Sequence, residues 1–292
     1  MNLSIVILSY NTLDFVLDAV KSLRERYDKE LREKQVEIIV VDNASERRVV
    51  EELEESLSNS GGVVLIKSEE NLGFGKGCNL GSKRSKGDFI LFLNSDTRTL
   101  DRGFLEMADY LKINPKTAVL GGRLLNTYGT SQASVGKFYS LANFFIMLFG
   151  GEKFGLLRAS PNKICQVDWV SGACFMVNKK IFNDLGGFDE NMFMYMEDME
   201  FCFRAKKKGY LTFYFPKVSV SHMREGSSNR TFAVVNIYRG ILYFYKKHKS
   251  KAQYRIVRFF LWFKAMGVYL LGKFTNNSYY TNTYGQALKI FK

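Results

Sequence analysis

Three carboxylates lie close together in the segment M-E-D-M-E-F-C-F-R, which runs from Met196 to Arg204. Glu197 and Glu200 are three residues apart, so on a helix they share one face, whereas Asp198 is turned about 100° from its neighbour and points elsewhere. Asp198 lies among methionine and aromatic residues, where an ionised carboxylate is costly unless it has a chemical task. We therefore single out Asp198 as a candidate for chemistry.

The same acids also have a purely structural interpretation. Carboxylates favour the positive N-terminus of a helix, and Glu200 is placed to pair with Arg204 one turn later. This interpretation accounts for Glu200 but not for Asp198. The apolar run Trp169 to Val177, which predicts one strand, and a turn at Gly186-Gly187 lead into the segment. We expect them to deliver the acids to the start of a helix.

Polar residues also follow three apolar runs that predict strands. In open α/β sheets, ligands bind outside the carboxyl ends of the strands. The three polar groups therefore predict a single site at that end of a sheet. They are Ser9, Tyr10 and Asn11 after the first run, Asp42 and Asn43 after the second, and Asn94, Ser95 and Asp96 after the fourth.

Asp96 suits a hard divalent cation, which prefers oxygen ligands and commonly keeps substrate phosphates as partners. One carboxylate binds a cation weakly, so a second protein ligand is needed. Of the 2 histidines, His248 lies in the basic run K-K-H-K-S-K and is given no role. His222 follows a strand pattern and is the candidate ligand, although a lone histidine is more often structural.

The run N-L-G-F-G-K-G-C-N-L-G, from Asn71 to Gly81, is rich in glycine. It predicts a loop that lets backbone approach a ligand and a helix N-terminus that faces a phosphate. Lys76 adds a cation to this loop, or is an ordinary exposed lysine. The run is not a dinucleotide-binding fingerprint, because Cys78 stands where the third glycine of G-x-G-x-x-G is required.

Strand and helix patterns alternate along the N-terminal part of the chain, which predicts βαβ units and a largely parallel sheet. The first helix begins after Asn11 and Thr12, its candidate N-caps, and its solvated end runs from Arg24 to Lys34. Two more helices are expected at about 46–57 and 101–113. The strands are expected at Ser4–Leu8, Glu37–Val41, Val63–Ile66, Phe89–Leu93 and Ala118–Leu120.

The composition predicts a globular protein of one large domain, or of one domain with an appendage. The chain has 292 residues, 46% hydrophobic and 15% aromatic, with 3 prolines. The 4 cysteines have no C-x-x-C spacing and lie in or beside apolar segments, which indicates buried thiols in a reducing cytoplasm. The N-terminus lacks the basic region of a signal peptide, and its apolar run is too short to span a bilayer.

The net charge of +13 belongs to the C-terminal region. No Asp or Glu follows Glu225, whereas 12 Lys or Arg residues do, so residues 1–225 carry 30 basic and 29 acidic side chains. Aromatic and aliphatic residues alternate with these cations, as in helices that lie in an anionic membrane interface. Arg258 and Lys264 interrupt the apolar run, so we expect no transmembrane span. We expect two domains, an α/β domain over 1–225 and a helical, membrane-associating region over 226–292.

Two other interpretations of the basic region stay open. A basic surface also suits nucleic acid, but such a dense aliphatic complement fits lipid better. The region could instead be an ordinary helix that packs on a core and turns a basic face to solvent.

Seven short motifs occur in one order between residues 3 and 224. Each is weak alone, but seven in order are specific. Together they resemble family 2 inverting glycosyltransferases with the GT-A nucleotide-sugar fold, in particular the bacterial rhamnosyltransferase-like members that build surface polysaccharides. The motifs are S-Y-N at 9–11, V-D-N-A-S at 41–45, N-L-G-F-G-K-G-C-N at 71–79, L-N-S-D-T at 93–97, W-V-S-G-A at 169–173, G-G-F-D-E at 186–190 and M-E-D-M-E-F-C-F-R at 196–204.

The resemblance implies donor-binding and metal-binding roles. Asp42 matches the acid that hydrogen-bonds the pyrimidine base. Asp96 matches the last acid of the D-x-D motif, which holds the diphosphate with Mg²⁺ or Mn²⁺, and His222 matches the distal metal ligand. Asn94 departs from the pattern, because the first position of D-x-D is usually an acid. The rest of the donor-binding set is Ser9, Tyr10, Asn11, Asn71, Gly73, Lys76, Asn79, Asn94 and Ser95.

The resemblance also implies the groups around the reacting atoms. Asp198 matches the general base. Trp169, Ser171 and Gly172 match the segment that borders the donor sugar and the acceptor, and Glu197 supports the acceptor side.

The implied function is metal-dependent inverting transfer of a sugar from a nucleotide-diphosphate donor to a hydroxyl of a lipid-linked glycan acceptor, in bacterial surface polysaccharide synthesis. dTDP-L-rhamnose is the first donor to consider and a UDP-hexose the second. The implied location is cytoplasmic, peripheral on the inner face of the cytoplasmic membrane, with no nucleic-acid partner. The alternatives are a sugar-phosphate nucleotidyltransferase, or a catalytically inactive module that binds carbohydrate or membrane.

Overall fold

The computed structural model describes residues 2–58, 61–223 and 229–292 of the chain. They group into two compact units. The first comprises Met1–Phe138, Arg158–Glu190 and Asp198–Ser227, and the second comprises Tyr139–Leu157, Asn191–Glu197 and Ser228–Lys292. The domain boundary expected at residue 225 lies outside the described residues.

Strands and helices alternate through most of the first unit, and the second unit is helical. In chain order the elements are β1 (Leu3–Ser9), α1 (Leu13–Arg32), β2 (Val36–Asp42), α2 (Arg47–Ser58), β3 (Val63–Lys67), α3 (Gly73–Arg84), β4 (Phe89–Asn94), β5 (Thr97–Thr99), α4 (Phe104–Ile113), β6 (Thr117–Leu125), β7 (Ser131–Gln132), β8 (Val135–Gly136), α5 (Leu141–Leu148), β9 (Arg158–Ala159), β10 (Cys165–Val167), β11 (Trp169–Val170), β12 (Cys174–Asn178), α6 (Lys179–Asp184), α7 (Glu197–Lys207), β13 (Leu211–His222), α8 (Arg230–His248), α9 (Lys251–Phe274) and α10 (Ser278–Leu288).

The main sheet of the first unit is built around the parallel strands β1, β2 and β4. β1 lies between the other two, so that Ser9 is beside Asp42 and Leu8 is beside Asn94. The full order is β10-β13-β6-β12-β4-β1-β2-β3, and β12 runs antiparallel to both of its neighbours. The central strands are buried on both faces, as parallel strands covered by helices must be. The predicted α/β architecture with a mostly parallel sheet is confirmed.

Every strand predicted for this sheet is present, and each extends beyond its apolar pattern. The largest difference is in β6, which continues from Thr117 to Leu125 through Gly121 and Gly122. A Cβ atom at Gly121 would lie 2.4 Å from the Cβ of Val170. The glycine therefore interrupts the apolar pattern because another strand passes close by, and not because the strand ends.

The prediction of a single strand from Trp169 to Val177 is wrong. Residues 169–170 form β11, which pairs with β8 in a small three-stranded sheet, whereas 174–178 form β12 in the main sheet. The chain turns between them. The Ser171 N–H donates to the Ser134 carbonyl at 2.8 Å, and the Cys174 N–H donates to the Ser171 carbonyl at 3.3 Å.

The glycine-rich run from Asn71 to Gly81 is mainly helical, and its prediction as a loop is wrong from Gly73 onward. The glycines let α3 lie close against the sheet. A Cβ atom at Gly77 would lie 2.5 Å from the Leu8 side chain, and one at Gly81 would lie 2.4 Å from Val6. The run is therefore a packing surface on β1 as well as the approach to a helix N-terminus.

The second unit is formed by α5, α8, α9 and α10, with a 3₁₀ turn at Gly151–Phe154. Its helices begin at polar caps. Asn229, Ser250 and Asn277 each accept a hydrogen bond from the first turn, and Ser250 with Gln253 forms a capping box. Within the described residues no helix is long and apolar enough to cross a bilayer.

Candidate active site

The polar residues at the ends of β1, β2 and β4 lie side by side, because the three strands are parallel neighbours. Their hydroxyl groups form a buried chain: Ser9 Oγ is 3.2 Å from Thr12 Oγ1, which donates to Ser95 Oγ at 3.2 Å. Thr12 is the N-cap of α1 as predicted, but its side chain makes no cap hydrogen bond. The structure thus brings the predicted strand-end residues together, and Ser9 and Ser95 tie them to each other.

Asp42 is 1% exposed at the end of β2. Its Oδ2 accepts a hydrogen bond from the Ser45 N–H at 3.1 Å, whereas Oδ1 is buried and meets no donor in the described part of the chain. A buried acceptor without a donor is costly, so this atom is suited to an N–H group brought by a ligand. Asn11 and Ser45 fasten the two loops beside it, since the Asn11 N–H donates to Ser45 Oγ at 2.8 Å and Asn11 Oδ1 accepts from the Glu46 N–H at 2.8 Å.

The glycine-rich helix begins on an amide network centred on Asn43, the polar residue that follows β2. The Asn43 side chain donates to Asn71 Oδ1 at 3.0 Å and accepts from the Leu72 N–H at 2.9 Å. Asn71 Oδ1 in turn accepts from the Gly73 N–H at 3.0 Å. Asn71 and Gly73 therefore set the position of the α3 N-terminus. Lys76 lies near Glu70, with Nζ 3.4 Å from Oε1.

Asn79 holds the turn that precedes the acidic helix. Its amide nitrogen donates to the Phe188 carbonyl at 2.9 Å and to Glu190 Oε1 at 3.1 Å, and its oxygen accepts from the Phe188 N–H at 2.9 Å. The donor and acceptor capacity of this 5%-exposed side chain is thereby used within the protein. Asn79 therefore supports the turn, and its expected contact with the donor stays a prediction.

Asp96, Asn94 and His222 meet where β4 and β13 end. His222 Nε2 is 3.4 Å from Asp96 Oδ1 and 3.4 Å from the Asn94 amide nitrogen. Burial raises the pKa of Asp96 to about 6, against the lowering effect of hydrogen bonds from its own backbone and from Asn94. Asn94 Oδ1 is buried and has no donor among the described residues.

Gln132, which the sequence did not point to, selects the tautomer of the neutral His222 ring. The Gln132 amide nitrogen donates to the His222 carbonyl at 2.6 Å, so its other end, Oε1, faces the ring as an acceptor. His222 Nδ1 lies 2.9 Å from that oxygen and must carry the proton that fills the contact. In the neutral ring, Nε2 then presents its lone pair toward Asp96, the arrangement of a histidine prepared to bind a metal.

These groups fit a divalent cation. Among the described residues no group of three or more His, Cys, Asp or Glu side chains could hold a metal ion. A cation between Asp96 and the Nε2 lone pair would nevertheless relieve two facing acceptors, and Asn94 Oδ1 is an additional buried oxygen without a donor. An amide oxygen is an acceptable ligand for hard cations, so the departure at Asn94 removes a charge but not a ligand atom.

Asp198 is the second residue of α7, and its carboxylate is held by two backbone N–H groups. Oδ2 accepts from Gly172 at 2.9 Å and Oδ1 accepts from Met199 at 2.7 Å. Burial raises the pKa of Asp198, an effect offset in part by these two hydrogen bonds and by the charge of Arg158. The group is therefore a fixed carboxylate with increased basicity, as a general base requires.

Arg158 is a functional candidate that sequence reasoning missed. Its guanidinium carbon lies 5.1 Å from the centre of the Trp169 ring, and its Nη2 donates to the Ala133 carbonyl at 3.0 Å. The Trp169 ring is itself fixed by a 3.1 Å hydrogen bond from its indole N–H to the Lys137 carbonyl. Arg158 stands in a short strand with no recognisable local pattern, so no signal in the sequence could have identified it.

Helix α7 is anchored by aromatic and ionic contacts. Phe201 packs between Phe175 and Phe188, with ring centres 5.8 and 5.6 Å away. The predicted pair between Glu200 and Arg204 is present, with Arg204 Nε 2.8 Å from Glu200 Oε2, and Glu200 is fully buried. Arg204 also donates to the carbonyls of Leu185 and Gly187, the second at 2.6 Å.

Two further predicted residues are placed near this helix. Ser171 lies in the turn beside Gly172, and its Oγ accepts from the Ala173 N–H at 3.4 Å. Glu197 is buried at the first position of α7 and belongs to the second unit.

Tyr10, the residue that follows β1, is 48% exposed.

Comparison with known proteins identifies the family. The family model described as glycosyl transferase family 2 matches residues 4–186. Because the match covers more than half of the chain, the chain belongs to glycosyl transferase family 2. The resemblance drawn from the seven motifs is confirmed.

Curated relatives include rhamnosyltransferases. The N-acetylglucosaminyl-diphospho-decaprenol L-rhamnosyltransferase of Mycobacterium tuberculosis (strain CDC 1551 / Oshkosh) is 44% identical over 64 residues, which make up 22% of this chain and 21% of that protein. The rhamnosyltransferase WbbL of Escherichia coli (strain K12) is 30% identical over 148 residues, 50% of this chain and 55% of that protein. The low-salt glycan biosynthesis hexosyltransferase Agl10 of Haloferax volcanii is 28% identical over 220 residues, 71% of this chain and 62% of that protein. The chain therefore spans less than two thirds of the length of each of these relatives.

Solved structures with a similar fold include GalNAc-T7 and a mannosyltransferase. GalNAc-T7 with UDP, GalNAc and Mn²⁺ superposes with a TM-score of 0.64 at 17% identity, over 91% of this chain and 51% of that one. The mannosyltransferase PcManGT from Pyrobaculum calidifontis, in complex with GDP-Man and Mn²⁺, superposes with a TM-score of 0.58 at 13% identity. The superposition covers 99% of this chain and 74% of that one. The fold is thus of the GT-A type, as expected.

Proposed function

We propose that this chain is a metal-dependent inverting glycosyltransferase that moves a sugar from a nucleotide-diphosphate donor to a hydroxyl of a lipid-linked glycan acceptor. The observation that carries the proposal is the Asp198 carboxylate, which two backbone N–H groups hold in place and whose pKa burial raises. Family membership supports the same reaction class.

Asp198 would act as the general base. It would take the proton of the acceptor hydroxyl as that oxygen attacks the anomeric carbon from the face opposite the leaving group. The bond to the nucleoside diphosphate breaks in the same displacement, so the configuration inverts and no carboxylate nucleophile is needed. The positive charge of Arg158 lowers the pKa of Asp198 and so opposes the burial effect, which favours the ionised base at neutral pH.

The donor would lie along the ends of β1, β2 and β4. Asp42 Oδ1 would accept the N–H of a uracil or thymine base, with Ser9, Tyr10 and Asn11 bordering the ring. The N-terminus of α3, set by Asn71 and Gly73, would face the diphosphate with its N–H groups. Lys76 could add a cation there only by leaving Glu70.

Asp96, His222 and the Asn94 oxygen would hold Mg²⁺ or Mn²⁺ next to the diphosphate. An ion bound there supplies charge neutralisation for the departing nucleoside diphosphate. The Mn²⁺ named in the GalNAc-T7 and PcManGT complexes supports a divalent ion in this fold.

Two relatives named as rhamnosyltransferases make dTDP-L-rhamnose the first donor to test and a UDP-hexose the second. The decaprenol in the name of one of them supports a lipid-linked acceptor and a role in bacterial surface polysaccharide synthesis. Trp169, Ser171 and Gly172 would border the transferred sugar, and Glu197 would support the acceptor side.

We further propose that α9 attaches the protein to the inner face of the cytoplasmic membrane, which leaves the active site in the cytoplasm. Phe259, Phe263, Leu270 and Phe274 lie on α9 at roughly helical spacing and are 55%, 62%, 56% and 89% exposed. Isolated exposed apolar residues are ordinary, but a row of large ones on one helix is suited to a lipid surface. The region from 229 to 292 contains no Asp or Glu, and such an excess of cations suits an anionic bilayer.

The test of the reaction is a panel of nucleotide sugars with Mn²⁺, measured first as a shift in unfolding temperature and then as hydrolysis or transfer. Asp198→Asn should lower turnover by about 100-fold or more and leave donor affinity within a few-fold, because a general base acts in the transition state. Asp109→Asn, an exposed change on α4, is the matched control. Near-normal turnover of the Asp198 variant would refute the assignment, and absence of donor binding or hydrolysis by the wild type would favour an inactive module.

A further inference from the structure

The second unit contains a cavity of about 440 Å³ that the active site described above does not use. One wall is a face of α8 that carries Arg239, Tyr243 and Lys246, and another is a face of α9 that carries Tyr254 and Arg258. The spacings are i, i+4, i+7 on α8 and i, i+4 on α9, so each set lies on one side of its helix. The remaining wall is the segment 191–195.

Among the described residues, no acidic side chain pairs with the cations of this cavity. None of the described carboxylates forms an ion pair with Arg239, Lys246 or Arg258. Arg258 is oriented by neutral groups, since its Nη2 donates to the Phe291 carbonyl at 2.6 Å and its guanidinium carbon is 5.4 Å from the Phe291 ring centre. Three cations that converge on one cavity without an acid favour an anion, and phosphate oxygens match the donor geometry of arginine.

Apart from Asn191 and Asn236, the rest of the lining is apolar or aromatic. Met192, Phe193 and Met194 line it from the segment 191–195, in addition to three tyrosines, Tyr195, Tyr243 and Tyr254. Such a surface adds nothing to the binding of a small hydrated anion. It makes the free energy of binding more favourable for a ligand that also carries an apolar part. The combination is that of a site for an amphiphilic phosphate ester.

The segment 191–195, which lines the cavity, is followed directly in the chain by α7, the helix that carries Asp198. Tyr195 and Met196 have φ angles of 69° and 77°, a conformation that non-glycine residues rarely adopt. Gly240 of α8 permits it, because a Cβ atom there would lie 2.8 Å from Met196 Cγ. Strained segments of this kind persist where the surrounding structure holds them, commonly at functional sites. Tyr195 precedes Asp198 by three residues, a separation that covalent geometry limits to about 11 Å.

We propose that this cavity binds the phosphate or diphosphate group of an acceptor whose other end is an apolar chain. The inference rests on the proposed glycosyl transfer, and it assigns the phosphate of the acceptor to Arg239, Lys246 and Arg258. The 440 Å³ volume accommodates a diphosphate and the first part of the attached chain.

The experiment measures binding of farnesyl diphosphate, a water-soluble ester of this class, to the full chain by calorimetry. Inorganic pyrophosphate and farnesol are the two comparison ligands, and vesicles with and without phosphatidylglycerol form a separate arm. The test variant combines Arg239→Gln and Lys246→Gln. The matched control combines Lys251→Gln and Arg255→Gln, which remove two exposed cations of α9 outside the cavity lining.

We expect farnesyl diphosphate to bind more tightly than pyrophosphate and farnesol. The Arg239/Lys246 variant should weaken it by about tenfold or more, the effect of losing a hydrogen bond to a charged group, and the control should stay within about twofold of wild type. Equal binding by the variant and the wild type overturns the proposal, as does pyrophosphate that binds as tightly as the ester. If the variant loses affinity for phosphatidylglycerol vesicles but not for farnesyl diphosphate, the cations serve a membrane headgroup and the acceptor site is refuted.

Failure of this inference and failure of the proposed reaction are separable. Hydrolysis of nucleotide sugars by the wild-type chain tests the reaction without an acceptor. Hydrolysis with no farnesyl diphosphate binding refutes only the proposed ligand of the cavity. Binding with no hydrolysis or transfer refutes the reaction and leaves the cavity as a site for an amphiphilic phosphate ester that is not an acceptor.

Discussion

Asp96 should destabilise the metal-free protein at neutral pH, so Asp96→Asn should make that protein more stable. The side chain is 5% exposed, and burial raises its pKa from 3.8 to about 6. With the His222 ring neutral, Asp96 Oδ1 and the Nε2 lone pair face each other at 3.4 Å as two acceptors. An asparagine amide could donate to Nε2 instead, which removes both the desolvated charge and the repulsion.

The magnitude follows from the difference in pKa. In the unfolded chain Asp96 ionises near 3.8, whereas in the folded protein it ionises near 6. Between these values the folded state binds more protons than the unfolded state, so the free energy of unfolding decreases as pH rises. This loss of stability is absent at pH values below the lower pKa and complete at pH values above the higher pKa. A difference of about 2 pKa units corresponds to roughly 3 kcal/mol, which is an upper limit for the gain at pH 7.5.

The assay is denaturant unfolding with EDTA at about pH 7.5 and about pH 4.5. Asp96→Asn should gain about 1–3 kcal/mol at the higher pH and clearly less at the lower pH. Asp101→Asn is a contrasting control, because the Asp101 carboxylate accepts from the N–H groups of Gly103 and Ser219 at 3.0 and 2.7 Å and should lose stability when changed. A less stable Asp96→Asn protein at pH 7.5, or an equal gain at both pH values, would refute the argument.

Four further predictions concern the metal, the donor, the packing and the membrane. Mn²⁺ should raise the unfolding temperature of the wild type but not of Asp96→Asn, and the effect should fade as pH drops below about 6, where Asp96 takes up a proton; an equal rise in both proteins contradicts a site at Asp96. Asp42→Ala should weaken donor binding, measured by titration calorimetry, by about tenfold, the equivalent of one charged hydrogen bond, and unchanged affinity would remove Asp42 from the site. Gly81→Val should destabilise by about 1–3 kcal/mol in denaturant unfolding, because a Cβ atom there lies 2.4 Å from Val6, whereas Gly267→Val, at a helical position of α9 with nothing within 4 Å, tests the effect of valine on a helix backbone alone; equal losses would deny a packing role. Phe259→Ser with Phe263→Ser should reduce co-sedimentation with anionic vesicles, which should also fall as salt rises, and wild-type binding by the variant would indicate that α9 does not bind lipid.

The strands of the sheet and the polar residues at their carboxyl ends could be predicted because the sequence patterns that mark them are local. Strands buried on both faces must be continuously apolar, and such a run must end where the backbone returns to water or to a ligand. β2 and β4 show this directly, with Asp42 and Asn94 at the ends of buried runs. The pair of Glu200 and Arg204 was predictable for the same reason, since four residues on a helix are neighbours whatever the rest of the fold does.

The predictions were wrong where the role of a residue depends on its contacts with a distant part of the chain. The glycines of α3 predicted a loop from their conformational freedom, but Gly77 and Gly81 are small because Leu8 and Val6 lie against them. The run from Trp169 to Val177 predicted one strand because every residue in it suits a strand. Its division into β11 and β12 depends on which sheet each half joins.

The sequence by itself determined the α/β alternation, the polar strand ends, the acidic helix and the concentration of cations after Glu225. Only the tertiary structure decided how the candidate site is completed. Gln132 orients His222 from 90 residues away, and Gly172 holds Asp198 from 26 residues away. Hydrogen bonds between such distant positions leave no periodicity in a single sequence, because periodicity records only which face of a local element is buried. Arg158 is likewise placed by the fold, which brings its charge into the surroundings of Asp198.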